Sequence, residues 1–208
     1  MAGPSTSTYA ILGLLSLAPM SGYEAARAAE RSISYFWPIS KTHVYSELAR
    51  LEELGWATGD DVRQESVPDK RVFTITRAGE TALDQWLLEG GVPDDRFRSP
   101  FLIKLFIGHR IPRERILKMV AEYQEDVEAE REALQQIVDT LAPVPEAAYA
   151  RASALFGLRI AEAIVRWADE VEDAVPSRRI SIDPRRAKAK KAKELFESAP
   201  PPPHRLSR

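Results

Sequence analysis

The sequence has 208 residues, of which 44% are hydrophobic and none is cysteine, and its formal net charge is −2. This composition predicts a globular protein of one or two domains in a reducing compartment, and it excludes disulfides and thiolate metal sites. We expect a cytoplasmic protein without a membrane partner, because MAGPSTST lacks the features of a signal peptide and AILGLLSLA is too short to cross a bilayer.

Charge is distributed unevenly along the chain. Residues 1–90 carry 8 basic and 12 acidic side chains, residues 91–176 carry 11 and 16, and residues 177–208 carry 10 and 3. The overall charge therefore gives no sign of a nucleic-acid partner, which usually requires a basic face. The basic last segment ends in a proline run and is predicted to be a mobile tail. It serves either solubility or loose contact with DNA phosphates.

A disordered start over residues 1–8 and a small α+β domain over residues 9–90 are predicted for the first segment. The domain begins with an apolar helix from Tyr9 to Leu17. Ser21 and Glu24 then have the Ser-x-x-Glu form of a capping box, in which side chain and backbone satisfy each other's open groups at a helix start. The sequence thus predicts two helices in quick succession.

The third predicted helix begins at Ser40, a suitable N-cap, and ends at Gly55, a natural C′ residue. Its first turn is polar, and its apolar residues then return at helical spacing. These apolar residues are Val44, Leu48, Leu51 and Leu54.

A hairpin and a fourth helix complete the first segment. Residues 56–65 and 70–75 are predicted to be two strands around a Ser-Val-Pro-Asp tip, the second strand alternating with period two. Thr76 can cap the helix that follows. A Gly90-Gly91 pair is expected to act as a hinge to the second segment.

Residues 99–176 are predicted to be entirely helical. Ser99 precedes a proline at the first helical position, and a longer helix begins at Pro112 with a heptad seam. The seam residues are Val120, Tyr123, Val127, Glu130, Leu134, Ile137 and Leu141. A last helix is predicted to carry one apolar face, formed by Tyr149, Phe156, Ile160, Ile164, Trp167 and Val171.

Catalytic and metal-binding patterns do not occur in the sequence. The histidines are His43, His109 and His204, far apart in the chain. No phosphate-cradling glycine loop or nucleophile elbow occurs, and the paired acids are adjacent rather than convergent. We therefore expect no metal, no cofactor and no enzymatic activity.

The order of elements is instead that of a winged helix-turn-helix domain. In such a domain the second helix of the pair lies in the major groove, with its N-terminal residues nearest the bases. This arrangement places Ser40, Lys41, Thr42, His43 and Tyr45 at the DNA. Serine, threonine, histidine and lysine side chains can bond to bases or phosphates, which explains a polar first turn.

Three blocks of the sequence closely resemble the signature blocks of PadR-type transcriptional regulators. They read LGLLSLAPMSGYE, FWPISKTHVYSELARLEELGW and KRVFTITRAGETALDQWL, and their order and spacing match too. The C-terminal half resembles the helical dimerisation domain of the branch with an extended C-terminus. Ser46 stands where the family frequently has proline. Phe73 stands where tyrosine is common, so a hydroxyl contact from that strand is lost.

This resemblance implies a dimeric bacterial regulator, usually a repressor, that binds an inverted-repeat operator in double-stranded DNA. It also implies contacts from the start of the second helix, from Tyr45 and from the wing. The complete set of predicted DNA contacts is Ser21, Tyr23, Ser40, Lys41, Thr42, His43, Tyr45, Arg63, Lys70 and Arg71. Some members of the family hold planar organic effectors, for which the candidates are Trp86, Phe101 and Trp167.

Each of these candidates also has a purely structural interpretation. The polar residues of the first turn can simply face water, the tyrosines can pack inside the domain, and neighbouring acids can neutralise the wing cations. The tryptophans can be core or dimer residues. The alternative function is a helical protein-interaction module that keeps a winged domain as a scaffold, which the negative charge of the two predicted domains favours.

Overall fold

The computed structural model describes residues 3–63, 70–89 and 98–177, together with residues 194, 197 and 198. The chain divides into two compact units, Met1–Pro93 and Asp94–Arg208. The predicted hinge at Gly90-Gly91, the hairpin tip and most of the predicted tail lie outside the described residues.

The first unit contains four α-helices and three strands in its described part. They are α1 (Thr6–Leu17), β1 (Met20–Ser21), α2 (Gly22–Arg31), α3 (Lys41–Glu53), β2 (Ala57–Val62), β3 (Lys70–Ile75) and α4 (Arg77–Leu88). A 3-10 turn over Ile33–Tyr35 lies between α2 and α3. The predicted order of helix, helix, helix, hairpin and helix is confirmed.

The start of α1 lies inside residues 1–8, the segment predicted to be disordered, and it corrects that prediction for residues 5–8. Ser5 caps the helix, and Ser5 and Thr8 form a reciprocal capping box through side chain and backbone. Thr8 is fully buried and bonded to Glu47 of α3. The helix therefore begins before the apolar run, because polar side chains satisfy its first backbone groups.

The end of α3 confirms the predicted role of Gly55. Its backbone N–H donates to the carbonyl of Glu52, and the N–H of Trp56 donates to the carbonyl of Leu51, which together form a Schellman motif. Gly55 has a φ of 70°, in the left-handed region that favours glycine. The motif turns the chain directly into β2.

The sheet has the strand order β1-β3-β2, with both pairs antiparallel. The hairpin of β2 and β3 was predicted, whereas β1 was not. Met20 and Ser21 pair with Phe73 and Val72. Two residues are too few to show a period-two pattern, so only the tertiary structure identifies this strand.

A single apolar core fills the first unit. Its buried residues are Ile11, Leu12, Leu14, Leu15, Ala25, Ala29, Val44, Leu48, Leu51, Ala57, Phe73 and Leu83. Burying one such leucine or isoleucine side chain contributes roughly 1.5–3 kcal/mol. The core therefore holds α3 firmly by its apolar stripe, and the polar first turn of α3 stands on a rigid support.

Described residues of the second unit form three α-helices and two 3-10 turns. The α-helices are α5 (Pro100–Phe106), α6 (Arg113–Leu141) and α7 (Ala148–Ala174), and the 3-10 turns are Gly108–Arg110 and Pro145–Ala147. The start of α6 packs on the end of α7, and the end of α6 packs on the start of α7, so the two helices are antiparallel. The predicted all-helical character of this segment is confirmed for its described residues, and so is the overall fold class.

The packing face of α7 overlaps only partly with the predicted apolar face, sharing Val171 and the partly buried Trp167. The residues of α7 that it buries are Leu158, Ala161, Ala168 and Val171. Small side chains let α6 approach closely, and a Cβ atom added at Gly157 would lie 3.2 Å from Leu134. Three larger apolar residues of the predicted face remain exposed, Tyr149 at 90%, Phe156 at 67% and Ile160 at 45%.

The predicted heptad seam of α6 is also only partly correct. Val120, Val127 and Leu134 are buried as predicted, but Val138 is buried where the seam placed Ile137. A helix that packs against one partner buries one narrow stripe, so it covers only one edge of the seam. No helix in the described ranges is long and apolar enough to cross a membrane.

Candidate nucleic-acid interface

The first turn of α3 presents polar side chains to solvent. Ser40 caps the helix, and its Oγ accepts a hydrogen bond from the backbone N–H of His43 at 3.2 Å. The side chains of Lys41, Thr42 and His43 are exposed, whereas Val44 is buried. The predicted division into a polar reading surface and an apolar support is thus present, and contact of these residues with DNA stays a prediction.

Ser21 forms the predicted capping box at the start of α2. Its Oγ accepts from the backbone N–H of Glu24, and its own N–H and hydroxyl both donate to Oε2 of Glu24, at 2.8 and 2.7 Å. Ser21 is also buried and belongs to β1. Its hydroxyl is therefore occupied within the fold, and the predicted phosphate contact remains untested.

The same bonds favour the ionised form of the Glu24 carboxyl. The backbone N–H of Ser21, the Ser21 hydroxyl and Lys70 together lower the pKa of the Glu24 carboxyl below its ordinary value of 4.5, the backbone bond most of all. The carboxylate is 3.4 Å from the Lys70 ammonium. Glu24 thus joins the start of α2 to the first residue of β3.

Lys41 and Tyr23 bring the two helices of the pair together at the surface. The Nζ atom of Lys41 lies 5.3 Å from the centroid of the Tyr23 ring, within the range of a cation–π contact. Tyr23 is exposed and does not pack in the core. This contact holds the ammonium at the first turn of α3, where a cation otherwise opposes the helix dipole.

Tyr45 combines packing with exposure. Its ring lies against Gly22, the first residue of α2, and a Cβ atom added there would overlap the ring. The side chain is nevertheless 44% exposed. The structural interpretation of Tyr45 as a core residue is therefore insufficient, because part of the ring remains available at the surface.

Glu47 was not predicted as a site residue, yet it bonds to His43 of this surface. It is 5% exposed, and its carboxylate accepts from Thr8 Oγ1 at 2.7 Å and bonds to His43 Nε2 at 3.0 Å. The sequence carried a signal for its burial. Position 47 falls on the stripe of Val44, Leu48 and Leu51, which repeats at three- and four-residue steps.

The predicted wing cations differ in their surroundings. The Nη2 atom of Arg71 lies 2.7 Å from Oε1 of Glu52, and that oxygen also accepts the backbone N–H of Gly59 at 3.1 Å. Lys70 pairs with Glu24. Arg63, at the end of β2, is exposed. Arg71 therefore links β3 to α3. Arg63, in contrast, shows no hydrogen bond or ion pair to another described residue.

The three effector candidates lie in aromatic clusters. Trp86 stacks on Tyr9 with centroids 4.9 Å apart in the first unit. In the second unit Phe101 contacts Tyr123 at 4.6 Å and meets Trp167 edge-on at 6.2 Å. All three rings already have intramolecular partners. Among the described residues no group of three or more His, Asp or Glu side chains is arranged to hold a metal ion.

The structure thus brings four of the predicted contact residues together. Tyr23, Lys41 and Tyr45 meet where α2 and α3 begin, and Lys70 joins them through Glu24. Such a cluster offers cationic, aromatic and hydroxyl groups at the exposed start of a rigid helix. These are the groups that contact base edges and phosphates.

Family profiles match both units of the chain. The profile of the Transcriptional regulator PadR-like family matches residues 11–85, and the profile named Virulence activator alpha C-term matches residues 97–175. The Probable transcriptional regulator Rv1176c of Mycobacterium tuberculosis is 30% identical over 190 residues, which cover 82% of this chain and 98% of that protein.

Solved structures have the same fold. The structure of smu.1604c from Streptococcus mutans UA159 is 26% identical with a TM-score of 0.72 and covers 81% of this chain and 99% of its own. Bacillus subtilis PadR in complex with operator DNA is 22% identical with a TM-score of 0.72 and covers 80% and 97%. The same protein in complex with p-coumaric acid is 20% identical with a TM-score of 0.65 and covers 81% and 96%.

Proposed function

The chain belongs to the PadR-like family of transcriptional regulators, and we propose that it is a dimeric repressor of an inverted-repeat operator. Each subunit contributes one winged domain, residues 9–90, which binds one half-site. Residues 99–176 form the dimerisation domain, and the protein acts in the cytoplasm on the bacterial chromosome. Centres of the half-sites then lie whole turns of DNA apart, in steps of about 10–10.5 base pairs.

The polar start of α3 is the observation that carries the proposal. Lys41, Thr42 and His43 are exposed on a helix whose next turns are buried in the core. A lysine at the first helical position costs about 0.3–1 kcal/mol against the helix dipole. A negatively charged ligand at the helix start repays this cost, and DNA is the ligand that such a helix binds in winged domains.

We assign the predicted contacts to three groups. Lys41, Thr42 and His43 lie nearest the base edges, and Tyr23 and Tyr45 flank them. Ser21 and Ser40 act first as helix caps, and their helix starts meet the phosphate backbone. The third group is the wing, where Arg63 is the proposed phosphate contact, because Lys70 and Arg71 already pair with acids of the fold.

Dimerisation is supported by the apolar side of α7 that α6 leaves uncovered. Tyr149, Phe156 and Ile160 are exposed there, and they share one helix face. Exposed apolar residues grouped on one face are typical of an interaction site. A second copy of the chain is the proposed occupant, because binding an inverted repeat requires two winged domains related by twofold symmetry.

A small aromatic effector is a further part of the proposal. Bacillus subtilis PadR was solved in complex with p-coumaric acid, a planar aromatic carboxylate. The cluster of Phe101, Tyr123 and Trp167 offers ring faces and edges to a planar molecule within the second unit. In the first unit an effector at Trp86 has to compete with the stacked ring of Tyr9. Regulators of this family are not enzymes, and we propose no catalysis and no cofactor.

Fluorescence anisotropy on labelled promoter DNA tests the proposal. The region upstream of the protein's own reading frame is the first probe, followed by footprinting across the genome. We expect tight binding that weakens steeply with salt, together with protection of two half-sites. Failure to bind any genomic fragment at low salt contradicts the proposal. A stable dimer without DNA affinity then favours the helical protein-interaction module instead.

A further inference from the structure

Glu47 is a carboxylate inside the winged domain, and the arrangement described so far gives it no contact with DNA. It lies in α3 on the buried stripe and is 5% exposed. Burying a carboxylate costs free energy unless the group is paired and hydrogen-bonded. Its bonding partners therefore indicate why the helix carries a glutamate where another apolar side chain would fit the stripe.

Two of these partners come from the start of α1. The Thr8 hydroxyl donates to Oε2 at 2.7 Å, and the Ser5 hydroxyl donates to Oε1 at 3.4 Å. Thr8 Oγ1 itself accepts the backbone N–H of Ser5 at 3.0 Å, so its own proton is left for Glu47. These bonds compensate for the burial of the carboxylate, and they hold it in one position.

The third partner is His43, one helical turn earlier in α3. Its Nε2 atom lies 3.0 Å from Oε1 of Glu47. An ionised carboxylate only accepts hydrogen bonds, so Nε2 must carry the hydrogen. In a neutral imidazole the other nitrogen, Nδ1, is then an acceptor. The His43 side chain is 49% exposed, so the ring still reaches the surface.

We propose that Glu47 is a positioning residue that holds His43 in its Nε2–H tautomer, so that the ring presents an acceptor to DNA. The inference rests on the proposed DNA-binding function and deepens it. In the major groove, adenine N6 and cytosine N4 are donors, whereas guanine presents only acceptors. His43 therefore selects the amino group of adenine or cytosine, and it does so because Glu47 removes the choice of tautomer.

A purely structural role for Glu47 has different consequences. If the carboxylate only ties α1 to α3 through Thr8, its removal lowers stability and leaves the chemistry of the His43 ring unchanged. Thr8→Val tests this difference, because it removes the shorter of the two bonds to the start of α1 and keeps the bond between Glu47 and His43. Glu47→Gln instead alters the bond to His43, since the amide of glutamine can donate a hydrogen bond to Nε2 as well as accept one from it.

Long-range proton–nitrogen NMR spectra of the full-length ¹⁵N-labelled chain read the tautomer directly. The chain has 3 histidines, and His43→Gln assigns the signal of interest while His109 serves as an internal control. With the rings neutral, we expect Nε2–H for His43 in the wild type and in Thr8→Val, and a mixture of tautomers in Glu47→Gln. An Nδ1–H form of His43 in the wild type overturns the proposal. The wild-type spectrum is decisive by itself, so the test remains valid even if Glu47→Gln does not fold.

A double-mutant cycle on operator DNA tests the consequence for recognition. His43→Ala and Glu47→Gln are each expected to lose roughly tenfold in discrimination at one base pair, and the double variant no more than either alone. Losses that add independently contradict an action through His43. If the wild type binds no operator, the proposed function fails, while the tautomer measurement still decides the role of Glu47.

Discussion

The ring of Tyr45 in α3 packs against Gly22, the residue with which α2 begins. A Cβ atom at position 22 would lie within 3.0 Å of the Cδ1 and Cζ atoms of that ring. Tyr45 is also partly exposed, so the ring can swing outwards when it is displaced. The contact with Gly22 therefore determines the position of Tyr45 on the proposed DNA surface. It has a smaller effect on the stability of the domain.

Gly22→Ala is expected to weaken operator binding roughly tenfold, the size of one good contact to DNA, while thermal stability changes little. Overlap with the ring costs about 1–3 kcal/mol if nothing moves, and replacing a helical glycine regains roughly 0.5–1 kcal/mol. Anisotropy titration and thermal unfolding measure the two effects. Gly13→Ala is the matched control, because no atom lies within 4 Å of the added Cβ. Full affinity in Gly22→Ala would show that the ring position is irrelevant.

Lys41→Ala is expected to weaken specific binding without lowering stability, since it removes a cation from a helix start. A contact to a base edge predicts a loss of discrimination of about 1–3 kcal/mol at one base pair. A contact to phosphate predicts an even loss across sequences and a salt slope that is shallower by about 1. Lys118→Ala is the control, an exposed lysine of α6 paired with Glu122. Equal behaviour of the two variants would remove Lys41 from the interface.

Arg71→Ala is expected to lower the free energy of unfolding by at most about 1 kcal/mol and to leave the salt slope of DNA binding unchanged. The reason is its ion pair with Glu52, which engages the guanidinium within the fold. Arg63→Ala is expected to make the slope shallower instead, because Arg63 is exposed at the end of β2. Chemical unfolding and salt-dependent anisotropy distinguish the two. A shallower slope for Arg71→Ala would mean that this arginine leaves Glu52 for the DNA.

Glu24→Gln is expected to reduce stability at neutral pH and to make no difference in acid. Hydrogen bonds from Ser21 and the nearby Lys70 depress the pKa of Glu24 in the folded state. A depressed pKa contributes stability above the unfolded value, and this contribution is lost as the pH falls through the folded one. Urea unfolding of both proteins between neutral pH and pH about 3 measures the difference. If the two proteins still differ in free energy of unfolding in acid, the destabilisation by Glu24→Gln comes from packing.

Phe156→Glu is expected to shift the protein towards a monomer and to weaken operator binding strongly. The side chain is exposed on the apolar side of α7, and burying a glutamate in a subunit interface is costly without a partner. A monomer also loses the additional DNA affinity that two linked half-site contacts provide. Analytical ultracentrifugation and anisotropy measure both effects. Ala129→Glu is the control, since it adds the same charge at an exposed position of α6. An unchanged dimer in Phe156→Glu would exclude this face.

Local chemistry made several features of the fold predictable. Ser21, Ser40 and Thr76 are the N-caps that the sequence indicated, and Gly55 ends α3 as expected. Each depends on a side chain bonding to backbone within four residues, or on a backbone angle that glycine favours. Such signals are contained in a short stretch of sequence, and the resemblance of three blocks to one family added the order of the elements.

Long-range pairing made other features unpredictable. The strand at Met20 exists only because β3 lies beside it, and the buried Thr8 hydroxyl finds its acceptor in Glu47, 39 residues further along the chain. The apolar residues of α7 were visible in the sequence, yet their spacing did not tell which side meets α6. The side of α7 that packs on α6 contains small residues such as Ala161 and Ala168, which allow closer packing than the aromatic side does.

Local patterns and motif order were sufficient to predict the family, the winged fold and the polar start of α3. Which of the predicted polar groups are already engaged within the protein became visible only in the folded chain. It pairs Arg71 with Glu52, sets Lys41 over Tyr23 and bonds His43 to Glu47. The physical reason is distance: a hydrogen bond or ion pair requires atoms within about 4 Å, and only the folded chain brings separate elements that close.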